Sequence, residues 1–302
     1  MLKFKRKDMK TLQYVVITIA TLFLAACGSQ KVLVNYKANA EQAELTGNYE
    51  EAVTAWESYF TQKQGENAQI EGAVYADAAK TAYKADMSTK ALQWFEQAQY
   101  NDYVDKEMAE ILIDIYRSRN NLSKELEELE FYTENFDSDK IEKNKRLFNI
   151  YFDINMFDKA LSAWERIPND SIDEEATIEK FFLINKKREN DEVVDSVSLV
   201  LLEKNPKNVD ALEWNAMKYY WKAENKYRRE MKKYEQNKTG LQYVFLRKEL
   251  KQVTADFKIA LSYFEKLWEM NPGEKYAPYM ANIHTRFDED EKSAYYRKFL
   301  NQ

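Results

Sequence analysis

Gly47-Asn48-Tyr49-Glu50-Glu51-Ala52, with Trp56 and Tyr59 beyond it, decides the fold of this 302-residue chain. A small or polar turn leads into an aromatic, then a small residue, then further aromatics at helical spacing. That order describes two helices meeting at a close contact: the small residue permits the approach and the aromatics fill the groove beside it. The phrase recurs. Asp86 to Ala91 leads to Phe95 and Ala98, Asn120 and Leu122 lead to Leu129 and Tyr132, and Asn155 and Phe157 lead to Ala160, Trp164 and Ile167. A fifth copy runs from Glu189 through Val194 to Leu201 and Pro206, and a sixth carries Phe257, Ala260, Phe264, Leu267 and Pro272. With Ala52, Ala91, Glu125, Ala160, Val194 and Ala260 taken as equivalent, the steps are 39, 34, 35, 34 and 66 residues.

Pro206 and Pro272 each fall 12 residues after the equivalent small position, where a second helix stops. Upstream, matching first helices carry Tyr36 and Ala40, Tyr75 and Ala79, Leu112, Ile113 and Tyr116, Leu147, Phe148 and Tyr151, then Leu212, Ala216 and Tyr219. Three positions depart: Glu125 stands where a small residue is expected, Ser88 where an aromatic is, and Val194 replaces the alanine of the fifth copy. A 34-residue helix-turn-helix period is that of the tetratricopeptide (TPR) repeat. Over residues 33–273 the chain resembles the TPR family. The resemblance implies an all-α, right-handed solenoid of helical hairpins spanning residues 35–273, closed by polar capping helices in residues 274–302. Asp288-Glu289-Asp290-Glu291 begins the second capping helix, where negative charge suits the helix dipole.

Composition agrees. Six glycines and four prolines make up about 3% of the chain, against ~12% in average proteins. Sheets and loop-rich enzymes need the turns where those residues collect. One Cys and one His exclude a disulfide framework and a Cys/His zinc site. No phosphate loop, nucleophile elbow or metal-spaced motif is present, so neither catalysis nor a cofactor or metal is expected. His284, the single histidine, reads as a surface or packing residue.

The N-terminus carries its own message. Lys3, Lys5, Arg6, Lys7 and Lys10 form a basic head, and residues 14–26 are apolar apart from two threonines. That run is short for a membrane span and has the charge order of a secretory signal. It ends in Leu24-Ala25-Ala26-Cys27, which closely resembles the lipobox of bacterial lipoproteins. The resemblance implies a signal peptide over residues 1–26, acylation of Cys27, and a tether over residues 27–34. Gly28, rather than Asp, after the cysteine implies the outer membrane, facing the periplasm. Loss of residues 1–26 leaves 40 basic and 50 acidic side chains, a net −10. Nucleic-acid binding, which needs a positive face for phosphates, is not expected.

The 66-residue step predicts one elongated hairpin over about residues 207–271. Tyr219, Ala223, Tyr227, Met231 and Tyr234 continue one apolar stripe, and Leu246, Leu250, Val253, Phe257 and Ala260 another, with a turn signal at Asn237-Lys238-Thr239-Gly240. About 16 extra residues per helix extend it by ~24 Å. Its charge is distinctive. Lys222, Lys226, Arg228, Arg229, Lys232, Lys233, Lys238, Arg247, Lys248 and Lys251 stand against Glu224, Glu230, Glu235 and Glu249, a net +6. Such a segment is either a solvated helix face or a docking arm for an acidic partner or an anionic membrane.

TPR proteins use their first helices to line a groove for a peptide or partner helix. In that register, Tyr83, Lys84, Arg117, Lys145, Asn149, Phe152, Lys186, Tyr220 and Trp221 face the groove. Lys145 and Asn149 match two positions of the carboxylate-clamp subfamily, while Lys180 and Trp214 depart from it. The function implied is a lipid-anchored adaptor whose partners are proteins or peptides. It is broadly similar to TPR lipoproteins of β-barrel assembly and to adaptors of envelope hydrolases. The alternative is an extracytoplasmic ligand- or peptide-binding lipoprotein with Trp214, Tyr220 and Trp221 as its aromatic platform.

Overall fold

The computed structural model describes residues 34–300; the export segment and Cys27 lie outside the described residues. Among those described, the chain forms fourteen α-helices, one short 3₁₀ turn (Asn169–Ser171) and no strand. α1 (Tyr36–Leu45) pairs with α2 (Tyr49–Gly65), and α3 (Gly72–Lys84) with α4 (Ser88–Tyr100). α5 (Lys106–Ser118) and α6 (Leu122–Asn135) follow. Four more hairpins are α7 (Lys140–Asp153) with α8 (Phe157–Trp164), α9 (Glu175–Lys187) with α10 (Asp191–Lys204), α11 (Val209–Gln236) with α12 (Gly240–Met270), and α13 (Ala277–Arg286) with α14 (Asp290–Arg297). The fold is all-α and built of TPR-like helical hairpins. It divides into two compact units between Ile115 and Tyr116, within α5.

One backbone device makes most of the turns. The residue just past the first helix of a pair is left-handed at Gly47 (φ 76°), Asp86 (59°), Asn120 (53°), Asn155 (61°), Glu189 (56°) and Asp288 (58°). The next amide then reaches back to a carbonyl five residues earlier: Asn48 to Ala43 at 2.9 Å, Met87 to Ala82 at 2.8 Å, Asn121 to Tyr116 at 2.9 Å, Met156 to Tyr151 at 2.8 Å, Asn190 to Asn185 at 3.0 Å and Glu289 to His284 at 3.0 Å. This closes the orphan carbonyls at the helix end. Glycine, Asn and Asp tolerate the left-handed region; Glu189 does not share their ease.

The six positions read as equivalent small residues are all buried: Ala52, Ala91, Ala160, Val194 and Ala260 at 0% exposure and Glu125 at 2%. In the first unit, Trp56 sits in a core with Ala40, Ile70, Val74 and Ala78, and its indole donates to Glu44 Oε1 at 2.8 Å. Gly72, the first residue of α3, is a second close approach. A Cβ there would lie 2.5 Å from Tyr103 Cβ and 2.9 Å from the Ala98 carbonyl. In the second unit, Phe182, Val194, Leu201 and Ala211 form one core, and Leu212, Ala216, Tyr220, Phe257, Phe264, Met280 and Ile283 belong to another.

The long step is filled by α11, of 28 residues, and α12, of 31. Asn237, between them, has φ −146° and ψ 80°, outside the left-handed region of the other turns. Thr239 caps α12 by accepting the Gln242 amide at 3.2 Å, so Gly240 is the first helical residue and the turn lies just before it. The expected ~24 Å of free hairpin is too long, because α13 packs along its base. Arg286 of α13 lies 4.0 Å over the Tyr227 ring, and the stretch of α11 beyond Tyr227 measures about 14 Å.

Candidate functional site

Tyr83 and Lys84 end α3 in the first unit. Burial, then the nearby Asp114 and Asp86, raises the Tyr83 phenol above its ordinary pKa. Lys84 opens onto a polar cavity of about 470 Å³ with Gly47, Asn48, Glu50, Glu51 and Asp86.

The other groove candidates lie in the second unit, and most are engaged by neighbours. Arg117 Nε donates to Glu125 Oε1 at 2.9 Å. Lys145 Nζ donates to Glu142 at 2.8 Å, which holds the ammonium above its usual pKa. Asn149 Nδ2 donates to the Lys145 carbonyl at 3.0 Å. Phe152 is half-buried, with Lys180 Nζ 5.2 Å over its ring and Asp153 binding the same ammonium at 2.9 Å. Lys186 reaches Asp210 at 3.2 Å. The clamp reading of Lys145 also meets an electrostatic obstacle. Its cavity, about 670 Å³, is lined by Asp137, Asp139, Glu142, Asp170 and Asp173 as well as Lys140, and the acids outnumber the ammonium groups against a carboxylate ligand. Asp137 and Asp139 precede α7, Glu142 lies in it, and Asp170 and Asp173 precede α9, so only the fold brings them around one cavity.

Of the expected aromatic platform, Tyr220 and Trp221 touch edge-on, ring centroids 5.1 Å apart, while Trp214 packs on other neighbours. Tyr220 is a core residue, 6% exposed, edge-on to Phe257, Phe264 and Tyr279, and its hydroxyl accepts from Asn282 Nδ2 at 2.6 Å. Trp214 packs edge-on to Phe182 and donates to Asp195 Oδ1 at 2.8 Å. Trp221 alone of the three is exposed, at 43%. A smaller cavity of about 180 Å³ lies between Glu213, Met217, Phe264 and Tyr276. There burial and a hydrogen bond to Glu213 push the Tyr276 phenol up to about 12.

Half of the cations on the basic hairpin are held in ion pairs. Lys222 meets Asp256 at 3.0 Å, Lys226 meets Glu249 at 2.8 Å, Arg228 meets Glu224 at 2.7 Å, and Arg229 and Lys233 share Glu230 at 2.8 and 2.9 Å. Among the described residues, Lys232, Lys238, Arg247, Lys248 and Lys251 form no ion pair. Glu224 and Asp256 are not surface charges, since each is 1% exposed. Glu224 accepts from Arg228 and, at 3.0 and 3.2 Å, from Arg286. Burial alone would raise its carboxyl; the two guanidinium groups outweigh that and hold it below the ordinary range. Its register offered a sequence signal: Glu224 lies four residues after Tyr220 and three before Tyr227, on the inward stripe.

His284 is 2% exposed, stacked on Tyr296, with Nδ1 2.6 Å from Glu289. It is therefore a packing residue. Among the described residues no group of three His, Cys, Asp or Glu side chains could hold a metal ion, and no helix is long and apolar enough to cross a membrane.

No family model and no curated protein matches the chain. Solved structures do. The C-terminal part of a TPR repeat-containing protein from Cytophaga hutchinsonii aligns at 15% identity over 86% of this chain and 92% of its own, with a TM-score of 0.39. A tetratricopeptide repeat protein from Parabacteroides merdae aligns at 12% identity over 87% and 90%, also with a TM-score of 0.39.

Proposed function

We propose that the protein is a lipid-anchored, non-enzymatic scaffold that gathers other proteins at the periplasmic face of the bacterial outer membrane. The observation that carries the scaffold reading is the hairpin repeat itself. Arrays of this kind present long rows of side chains to a partner. Glu125 and Glu224 are held by arginines, and His284 is stacked in a core. Support for the anchor comes from Leu24-Ala25-Ala26-Cys27. Each buried acyl CH₂ contributes ~0.8 kcal/mol, so several chains hold a protein at a membrane stably.

Two measurements on the full chain test this. Metabolic palmitate labelling and membrane fractionation are expected to be lost on Cys27→Ala, and retained label in that variant would overturn the anchor. Crosslinking in native membranes, followed by purification through a tag at Gln302, is expected to recover a reproducible protein partner at fixed stoichiometry. Saturable binding of a small ligand without any such partner would replace the scaffold with a ligand receptor.

A further inference from the structure

We infer that the free end of the α11–α12 hairpin docks on an anionic phospholipid surface, as a membrane contact separate from Cys27. The first two turns of α12 carry Leu241, Val244 and Phe245, which are 66, 63 and 53% exposed. Their i, i+3, i+4 spacing puts them on one stripe. Leu246, Leu250, Val253 and Phe257 form the inward stripe of the same helix, on the opposite side. Tyr243, 49% exposed, continues the inward stripe, against Tyr234 of α11 with ring centroids 6.0 Å apart, and so is not part of the outward one. A row of large apolar side chains on the outer side of a helix that is already packed adds nothing to the core and leaves an apolar patch in water.

The five cations without ion pairs, Lys232, Lys238, Arg247, Lys248 and Lys251, flank this patch in sequence, while Lys233, also near the turn, is paired. Exposed apolar residues and unneutralised lysines and arginines together are the make-up of a helix seated at the headgroup boundary. An acidic protein would neutralise the cations and leave Leu241, Val244 and Phe245 wet. A second copy would set one cationic end against another. An anionic bilayer satisfies both sets, phosphates meeting the cations while the apolar stripe enters the acyl boundary. Each lysine or arginine near such a surface changes binding by about fivefold.

This inference goes beyond the scaffold reading and leaves Cys27 intact in its test. The full chain, carrying benzoylphenylalanine at Phe245, is reconstituted into vesicles of phosphatidylglycerol with phosphatidylcholine and, separately, of phosphatidylcholine alone. On illumination the probe is expected to form lipid adducts in the first, with yield at least about fivefold lower in the second. The same drop is expected when Arg247, Lys248 and Lys251, all exposed, are changed to Glu. Placed instead at Val200, 42% exposed on α10, the probe is expected to give no phosphatidylglycerol-dependent adduct. Adducts to a second copy or to a bound protein, absence of lipid adducts at Phe245, or a yield indifferent to phosphatidylglycerol and to charge reversal would overturn the docking. Palmitate labelling and partner recovery report on the scaffold independently.

Discussion

At Glu125 a charged residue occupies a position that five other repeats fill with alanine or valine, and it is 2% exposed. Arg146 binds it through two bonds, 2.7 and 2.8 Å, and Arg117 through a third at 2.9 Å. Burial would raise this carboxyl, but the arginine hydrogen bonds prevail and hold it below its ordinary value of 4.5. A lowered folded-state pKa contributes stability above the unfolded value and loses it as pH falls through the folded one. Glu125→Ala, the residue its repeat register asks for, is therefore expected to cost about 2 kcal/mol near neutrality, because the arginines lose their buried acceptor. In urea titrations followed across pH, the gap between the two proteins should narrow on acidification below pH 4.5; a constant gap would assign the loss to packing alone. The position was legible from the period, but its partner was not, since Arg146 lies 21 residues away and only the packed helices bring them together. Gly72 is the opposite case, a residue whose lack of a side chain is the point. Gly72→Ala sets a Cβ 2.5 Å from that of Tyr103 and is expected to lower stability by about 2 kcal/mol through overpacking, read as a lower thermal midpoint.

Between residues and the whole chain stand the turns and the hairpins. The repeat phrase was found through its turn residue, and the structure shows why that residue matters: it takes the left-handed conformation that closes the helix end. Among the described residues, six of the seven first-to-second-helix turns use it, five with Gly, Asn or Asp, and Glu189 is the exception (φ 56°). Relief of its left-handed strain exceeds the entropy cost of a more flexible unfolded chain. Glu189→Gly is thus expected to raise stability by about 0.5–1 kcal/mol, seen as a higher urea midpoint at unchanged slope; a fall would mean that the glutamate makes a compensating contact. The elongated hairpin was legible from the missing 32 residues and two continuing stripes. Its polar interior was not. Glu224 counted with the surface charge although its register set it on the inward stripe, and Arg286, which holds it, comes 62 residues later; Asp256 lies beyond the charged segment that was counted. The groove was the least legible feature. Register places a side chain on a helix face, while ion pairs such as Lys186 with Asp210 depend on the neighbouring helix.

For the whole molecule, the consequence of repetition is that stability is held locally. Each unit has its own core, Trp56 with Ile70 and Val74 in one and Phe257 with Leu212 and Met280 in the other. In repeat arrays each element is stabilised mainly by its neighbours, so damage spreads by nearest-neighbour coupling rather than at once through a single core. Phe257 is 1% exposed and touches the ring of Tyr220 on α11 and that of Phe287 at the end of α13, so Phe257→Ala removes about 3–5 kcal/mol. That loss is expected to appear in hydrogen exchange as faster amides in α11, α12 and α13, with protection in α1 to α4 unchanged. Gly72→Ala should give the mirror result, faster exchange in α3 and α4 with α11 to α13 unaffected. If either substitution instead loosens both units equally, the chain unfolds as one cooperative body and nearest-neighbour accounting fails. With localised loss, a partner gripping one unit and a membrane touching the long hairpin would act on separately stabilised parts of the same chain.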